Sequence, residues 1–215
     1  MLGSWQLEMS LQITLAVVPV AVYFLILGLL NSQKHPQLLT GRIDFALLMA
    51  SFSPLCAVPV LAWMGARPLT VVIVASAVAG TILLLAPRKQ QAWVAYNVSI
   101  HEALRSVEWA LRHAGIDFDR QGQHLVLDNG AVLRLSAFPL LRNVSLTVTG
   151  ATESTRSALC RFEASLAHQM GGIDVVASPM AVSFVLISTA MIVAPLVLLA
   201  DRMPEMVRII TDMMG

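Results

Sequence analysis

The stretch LQITLAVVPVAVYFLILGLL, Leu11 to Leu30, contains no Asp, Glu, Lys, Arg or His. Its length matches the roughly 20 residues that carry a helix across a ~30 Å hydrocarbon core. Three more runs share this character: Phe45 to Met64, Leu69 to Ala86 and Met180 to Ala200. Between the third and fourth lies a polar block, roughly Gln90 to Ser178. The expected fold class is therefore a membrane α-helical protein, with four transmembrane helices and an inserted small α+β domain. Residues 1–89 read as a membrane region with spans at 11–30, 45–64 and 69–86, and 90–178 as the soluble α+β domain. Residues 179–215 hold the fourth span at 180–200 and a short amphipathic tail helix.

A charge at mid-bilayer costs roughly 3 kcal/mol or more and is usually kept for ion or proton handling. Spans without charge therefore argue against a pump or a voltage sensor. Arg67 and Pro68 before the third run, with Pro87, Arg88 and Lys89 after it, mark two ends and predict that it spans. The leader Met1 to Ser10 carries Glu8 and no Lys or Arg, and the first run ends in Leu29, Leu30 and Asn31. A secretory signal has a basic start and a small-residue cleavage site, so the first run is expected to stay as an anchor.

Cytoplasmic flanks are enriched in Lys and Arg. Lys34, Arg42, Arg88 and Lys89 fall on the side of the polar block, against Arg67, Arg202 and Arg208 on the other. This predicts a cytoplasmic domain with both termini outside, in a plasma membrane of bacterial inner-membrane type. Cys56 lies in a span and Cys160 in the polar block, so they are not expected to pair.

Inside the spans, Pro19, Pro54, Pro59 and Pro195 can kink their helices, and Ser51, Ser53 and Cys56 gather on the second. Ser76 and Gly80 form a small-xxx-small pair that permits close helix approach. Packing is the expected role; a substrate-lined cavity on a broken helix is the alternative.

The polar block opens on Ser99-Ile100-His101-Glu102, a Ser-x-x-Glu capping box. Ile100, Leu104, Val107, Leu111 and Ala114 then recur at spacings of four and three, as on an amphipathic helix ending before Gly115. Glu108 and Arg112 are set to pair across one turn. Beyond Gly115 the period becomes two: Leu125 and Leu127, then Leu133 and Leu135, then Val144, Leu146 and Val148 alternate with polar or smaller neighbours. Asn129-Gly130 predicts a type I′ hairpin, and Gln121-Gly122 an earlier one. Pro139 should limit the third strand because it lacks the ladder donor. A second helix begins near Thr152, carries Leu159, Phe162, Leu166 and Met170, and stops at Gly171-Gly172. The pattern predicts a two-layer sandwich of helix, antiparallel meander of three to four strands, and helix, with both helices on the apolar sheet face.

The opposite face then displays Val126, Val132, Arg134, Ser136, Ser145, Thr147 and Thr149, a candidate docking face for a protein partner or a second copy. A second candidate surface is the 34–44 loop, with Lys34, His35, Arg42 and Asp44 at the membrane surface. Lys34 and Arg42 read there as topology anchors, Thr40 as a helix cap, and Asp44 as a partner for the positive end of the helix dipole.

His101, His113, His124 and His168 show no metal-type spacing, and no Cys-x-x-Cys, P-loop or Gly-x-Ser-x-Gly pattern occurs. No cofactor or metal is expected. Asp117, Asp119 and Asp128 sit where turns favour Asp for local hydrogen bonding. From Arg88 to Ser178 there are nine Arg and Lys against eight Asp and Glu, without a basic run, which disfavours nucleic acid. Pro204, Met206, Val207, Ile210, Met213 and Met214 suit a short interfacial helix. The expected partners are the lipid bilayer and either a protein or further copies of the chain. The expected function is a non-catalytic assembly or regulatory component of a membrane complex. The alternatives are a membrane-embedded enzyme acting on lipid or peptide, and a small transporter or channel.

Overall fold

The computed structural model describes residues 2–64, 68–86, 92–151, 153–176, 178–201, and 203, 204, 207 and 211. Arg67, Pro87, Arg88, Lys89, Thr152, Arg202 and Arg208 lie outside the described residues, as do Met206, Ile210, Met213 and Met214 of the tail pattern. The chain forms two compact units: Met1–Ile26 with Leu47–Leu84 and Phe184–Gly215, and Leu27–Ala46 with Leu85–Ser183.

The first unit is helical. It draws on α1 (Leu2–Leu30), α2 (Gly41–Met64), α3 (Pro68–Leu85) and α6 (Pro179–Ala200). All four are long and apolar enough to cross a membrane. None has a polar stripe, the pattern of helices surrounded by apolar material on every side. Tyr23, Phe24, Phe52 and Phe184 form an aromatic cluster, with Phe24 stacked on Phe184 at 5.6 Å and Phe52 edge-on to Tyr23 at 5.9 Å. The hydroxyls of Thr14, Ser53, Thr81 and Thr189 donate back to carbonyls of their own helices, at Ser10, Ala50, Ala77 and Val185. These polar atoms are thereby satisfied without a neighbouring helix, as an apolar solvent demands. A Cβ built on Gly80 meets nothing within 4 Å, so the Ser76/Gly80 pair makes no close helix approach within the described chain.

The second unit is a six-stranded antiparallel sheet with two helices on one face. Its strands are β1 (Gln37–Thr40), β2 (Ala92–Tyr96), β3 (Phe118–Gln121), β4 (His124–Leu127), β5 (Val132–Phe138) and β6 (Asn143–Thr149). Their order is β1-β2-β6-β5-β4-β3. The sheet thus has six strands where periodicity predicted three or four. The meander β3 to β6 is the part visible as alternation, and β2 adds to its β6 side, with Trp93 opposite Leu146. β1 comes from the segment between the first two apolar helices and pairs Leu38 with Ala95.

Helix α4 (Ile100–His113) starts at the predicted capping box: the Ser99 hydroxyl accepts from the Glu102 N–H at 3.2 Å, and the Glu102 carboxylate accepts from the Ser99 N–H at 3.1 Å. Gly115 at φ +70 ends it. Helix α5 (Glu153–Gly171) packs beside it. Leu104, Val107 and Leu111 of α4 and Leu159, Phe162, Leu166 and Met170 of α5 are buried against Trp93, Leu125, Leu133, Leu135, Leu146 and Val148. Trp93 meets Phe162 edge to face at 5.6 Å. Burying one such side chain contributes roughly 1.5–3 kcal/mol, so this layer carries the unit.

Two local expectations change. Glu108 pairs with Arg120 on β3 at 3.0 Å rather than with Arg112, whose guanidinium lies 5.8 Å over the Phe118 ring. A strand residue brought beside α4 outcompetes the neighbour one turn away. The Asn129-Gly130 turn is not type I′, since only Gly130 has a positive φ there. Asn129 is instead held by its side chain, which accepts from the Ala131 N–H at 3.0 Å and donates to Thr155 on α5 at 3.1 Å. Pro139 follows the last residue of β5 and opens a 3₁₀ turn, Pro139–Leu141.

Candidate functional site

Strand alternation sorts the sheet into two faces. Leu125, Leu127, Leu133, Leu135, Val144, Leu146 and Val148 turn to the helices and are buried. Val126, Val132, Arg134, Ser136, Ser145, Thr147 and Thr149 hold the other parity, and all are exposed or half-buried. Register lines them up in cross-strand rows: Val126, Val132 and Thr149; His124, Arg134 and Thr147; Ser136 and Ser145. Side chains directly opposite lie ~4.5–5.5 Å apart, so each row acts as one continuous surface.

Three apolar members of this face, Leu39, Val94 and Phe138, escaped sequence reading. Val94 on β2 sits opposite both Ser145 and Leu39, extending the surface over two further strands. Phe138, at the end of β5, is 55% exposed. The signal for Phe138 was present, since Val132, Arg134, Ser136 and Phe138 continue one alternation. Among the described residues the face carries the Lys/Arg/Asp/Glu side chains Arg134 and Asp119, with His124 beside Arg134.

At the β1–β2 edge the start of α2 covers this face. Tyr96 is buried yet stands apart from the helix-side core, and its hydroxyl donates to Asp44 in the first turn of α2. Gly41 is the contact point: a Cβ there would stand 2.7 Å from the Ala92 Cβ. Of the 34–44 residues, Asp44 thus serves α2 and Tyr96, Thr40 is the last residue of β1, and Arg42 is exposed.

Lys34 and His35 enter a separate polar clasp. The Lys34 carbonyl accepts from the Val175 N–H at 2.8 Å, while His35 Nδ1 lies 3.2 Å from the Ile173 carbonyl and 3.5 Å from Asp174. Asn31 and Asn97, both fully buried, complete the clasp. Asn31 Oδ1 accepts from the Asn97 N–H at 3.1 Å, and Asn97 Nδ2 donates to the Gln33 carbonyl at 2.8 Å. Asn97 adopts φ +57, a conformation Asn tolerates better than most residues. On the other side of β2, Val98 N–H donates to the Arg142 carbonyl, and Arg142 donates to the Val176 carbonyl at 3.2 Å. The clasp ties the segments before β1 and after α5 to the sheet within one unit.

The Glu102 carboxylate that caps α4 is electrostatically perturbed. The Ser99 hydroxyl bond holds its carboxyl below the ordinary range against the opposing effect of burial, with Arg142 and Arg105 adding to the lowering. In the helical unit, Pro19, Ser53 and Pro54 line an apolar groove of about 530 Å³ with Ala57, Val78 and Ile82. Pro59 is not part of that lining. Cys56 and Cys160 are both exposed, and no group of three or more His, Cys, Asp or Glu is disposed to hold a metal among the described residues.

No family model, curated protein or solved structure matches this chain.

Proposed function

We propose that this chain is an integral membrane protein whose four apolar helices cross the bilayer and whose α+β unit is an interaction module. In this reading it is a non-catalytic assembly or regulatory component of a membrane complex, with the module in the cytoplasm of a bacterial cell. The observation that carries it is the sheet face opposite the helices, where Val94, Val126, Val132 and Phe138 stand among Ser and Thr with little charge. Interfaces of this kind combine apolar anchors with satisfiable hydroxyls and few charges at their centre. The roles of Asp44 and His35 in tying segments together support a structural task for those side chains.

The test is co-purification of the tagged full chain from its native membranes in mild detergent. Thr147→Arg with Val132→Glu puts charged, bulkier side chains on the centre of the face without touching the core, and should abolish the complex while membrane levels hold. Unchanged recovery of the partner refutes the assignment. Alkaline phosphatase active when fused after Ala151 would refute the cytoplasmic placement.

A second reading, lipid handling by the helical unit, draws on the groove beside Pro19 and Pro54. Its lining is aliphatic and the Ser53 hydroxyl is already bonded to Ala50, which suits a hydrocarbon chain better than a polar solute.

A further inference from the structure

Between α4 and α5, on the helix layer and away from the open sheet face, lies a cleft of about 360 Å³. It is lined by Glu102, Arg105, Ser106, Trp109, Gln169 and Ile173. That volume falls in the range of small-molecule sites, ~300–1,000 Å³. Its polar side chains divide into two sets.

The first set is spoken for. Ser106 donates to the Glu102 carbonyl at 2.9 Å and is buried. The Glu102 carboxylate accepts from the Ser99 N–H and, at 2.7 Å, from the Ser99 hydroxyl, with the Arg142 guanidinium 3.9 Å away. Its negative charge is thus engaged chiefly by Ser99, with Arg142 and Arg105 contributing.

The second set is uncommitted. Among the described residues, no hydrogen bond or ion pair engages the Arg105 guanidinium, the Trp109 indole N–H or the Gln169 side-chain amide. Arg105 and Trp109 are one turn apart on α4 and exposed, and Gln169 faces them from α5. His113 stacks on Trp109 at 4.8 Å and 9°, which fixes the indole plane. Guanidinium and indole are donors only, and the amide adds two more N–H groups. The Glu102 carboxylate interacts with both Arg105 and Arg142, and the three groups together carry one positive charge in excess.

We propose that the α4–α5 cleft binds a phosphate ester, its oxyanion held by Arg105, Trp109 and Gln169 and its organic portion against Ile173 and the indole. Three donors on two helices suit a tetrahedral group with several free oxygens better than a planar carboxylate with two. Arg is the side chain best shaped for such recognition. The ester is a phosphomonoester, either a soluble metabolite or the headgroup of phosphatidic acid, and both present three terminal oxygens.

The experiment uses the full chain in phosphatidylcholine nanodiscs, titrated with glycerol 3-phosphate by calorimetry. A second arm counts phosphatidic acid retained by the protein, by native mass spectrometry, after release from mixed nanodiscs. Saturable one-site binding in the first arm identifies a soluble ligand, and in the second a lipid. In either arm Arg105→Gln should weaken binding about tenfold or more, as loss of a charged hydrogen bond implies, and Trp109→Phe should weaken it less. Arg161→Gln, an exposed arginine on α5 outside the cleft, should leave it unchanged. No binding in both arms overturns the proposal. So does binding that Arg105→Gln leaves intact or that Arg161→Gln weakens equally.

Discussion

Replacing Gly41 by Ala tests how tightly α2 is seated on the sheet. The new Cβ would lie 2.7 Å from the Ala92 Cβ, 3.2 Å from the Ala92 carbonyl oxygen and 3.3 Å from its carbonyl carbon. Carbon atoms in good contact stand ~3.5–4.0 Å apart, so the overlap is close to 1 Å. No rotamer change relieves it, because every atom involved belongs to the backbone or to a Cβ. Nor can β2 withdraw easily, since it is paired to β1 on one side and β6 on the other. Overpacking of this kind costs about 1–3 kcal/mol. Against it stands the helix-propensity gain of Ala over Gly, at most about 1 kcal/mol in a helix interior and less at the first residue of α2. The clash wins. With about 0.5 kcal/mol offset the net loss is about 0.5–2.5 kcal/mol, and at roughly 4–8 °C per kcal/mol for a domain near a hundred residues Tm of the sheet unit should fall by about 2–20 °C. Thermal unfolding of the full chain in detergent, followed by near-ultraviolet dichroism of the buried Trp93, reads this out. Ala92→Gly alone should cost about 0.5–1 kcal/mol in a strand, yet in combination it should recover more than half of the Gly41→Ala loss. A Gly41→Ala protein as stable as the parent, or additive behaviour of the pair, would refute the close approach.

Three other perturbations have clear signs. Asn97→Gly should cost about 1 kcal/mol for the lost bond to Gln33, and Asn97→Ala about 1 kcal/mol more because Ala resists φ +57; chemical denaturation ranking Ala above Gly would contradict this. Glu102 has its folded-state pKa depressed below 4.5, so its contribution is complete near neutral pH and fades as pH falls below that value. The stability gap between the parent and Glu102→Gln should therefore narrow in acid, and a constant gap down to pH 3 would count against the capping bond as its origin. A double-mutant cycle on Glu108 and Arg120 should give about 0.5 kcal/mol of coupling for this partly exposed pair, with none between Glu108 and Arg112.

Much of the sheet unit was legible because its signals are local. The capping box at Ser99 and Glu102 needs four residues, and the stripe from Leu104 to Leu111 needs two turns. Alternation from Leu125 to Val148 fixes which side chains share a face, so the parity of Val126, Arg134 and Thr147 followed without knowing what lay beneath. The missed strands carry almost no local signal. β1 has four residues directly after Pro36, and becomes a strand because Leu38 and Leu39 find β2 alongside. β2 has five residues, and its Trp93 and Ala95 read as buried only once β6 is their neighbour. The Asn129-Gly130 turn failed for a related reason, since Thr155, 26 residues away, offered Asn129 a partner.

By itself, then, the sequence determined four apolar helices of membrane-crossing length, two amphipathic elements and a meander, because hydrophobic periodicity and caps act over one or two turns. Tertiary structure alone decided that β1 joins the sheet, that Tyr96 meets Asp44, and that Arg105, Trp109 and Gln169 share one cleft. Those pairings depend on which distant segments are brought within ~3–5 Å, a matter of long-range packing that no short window of sequence contains.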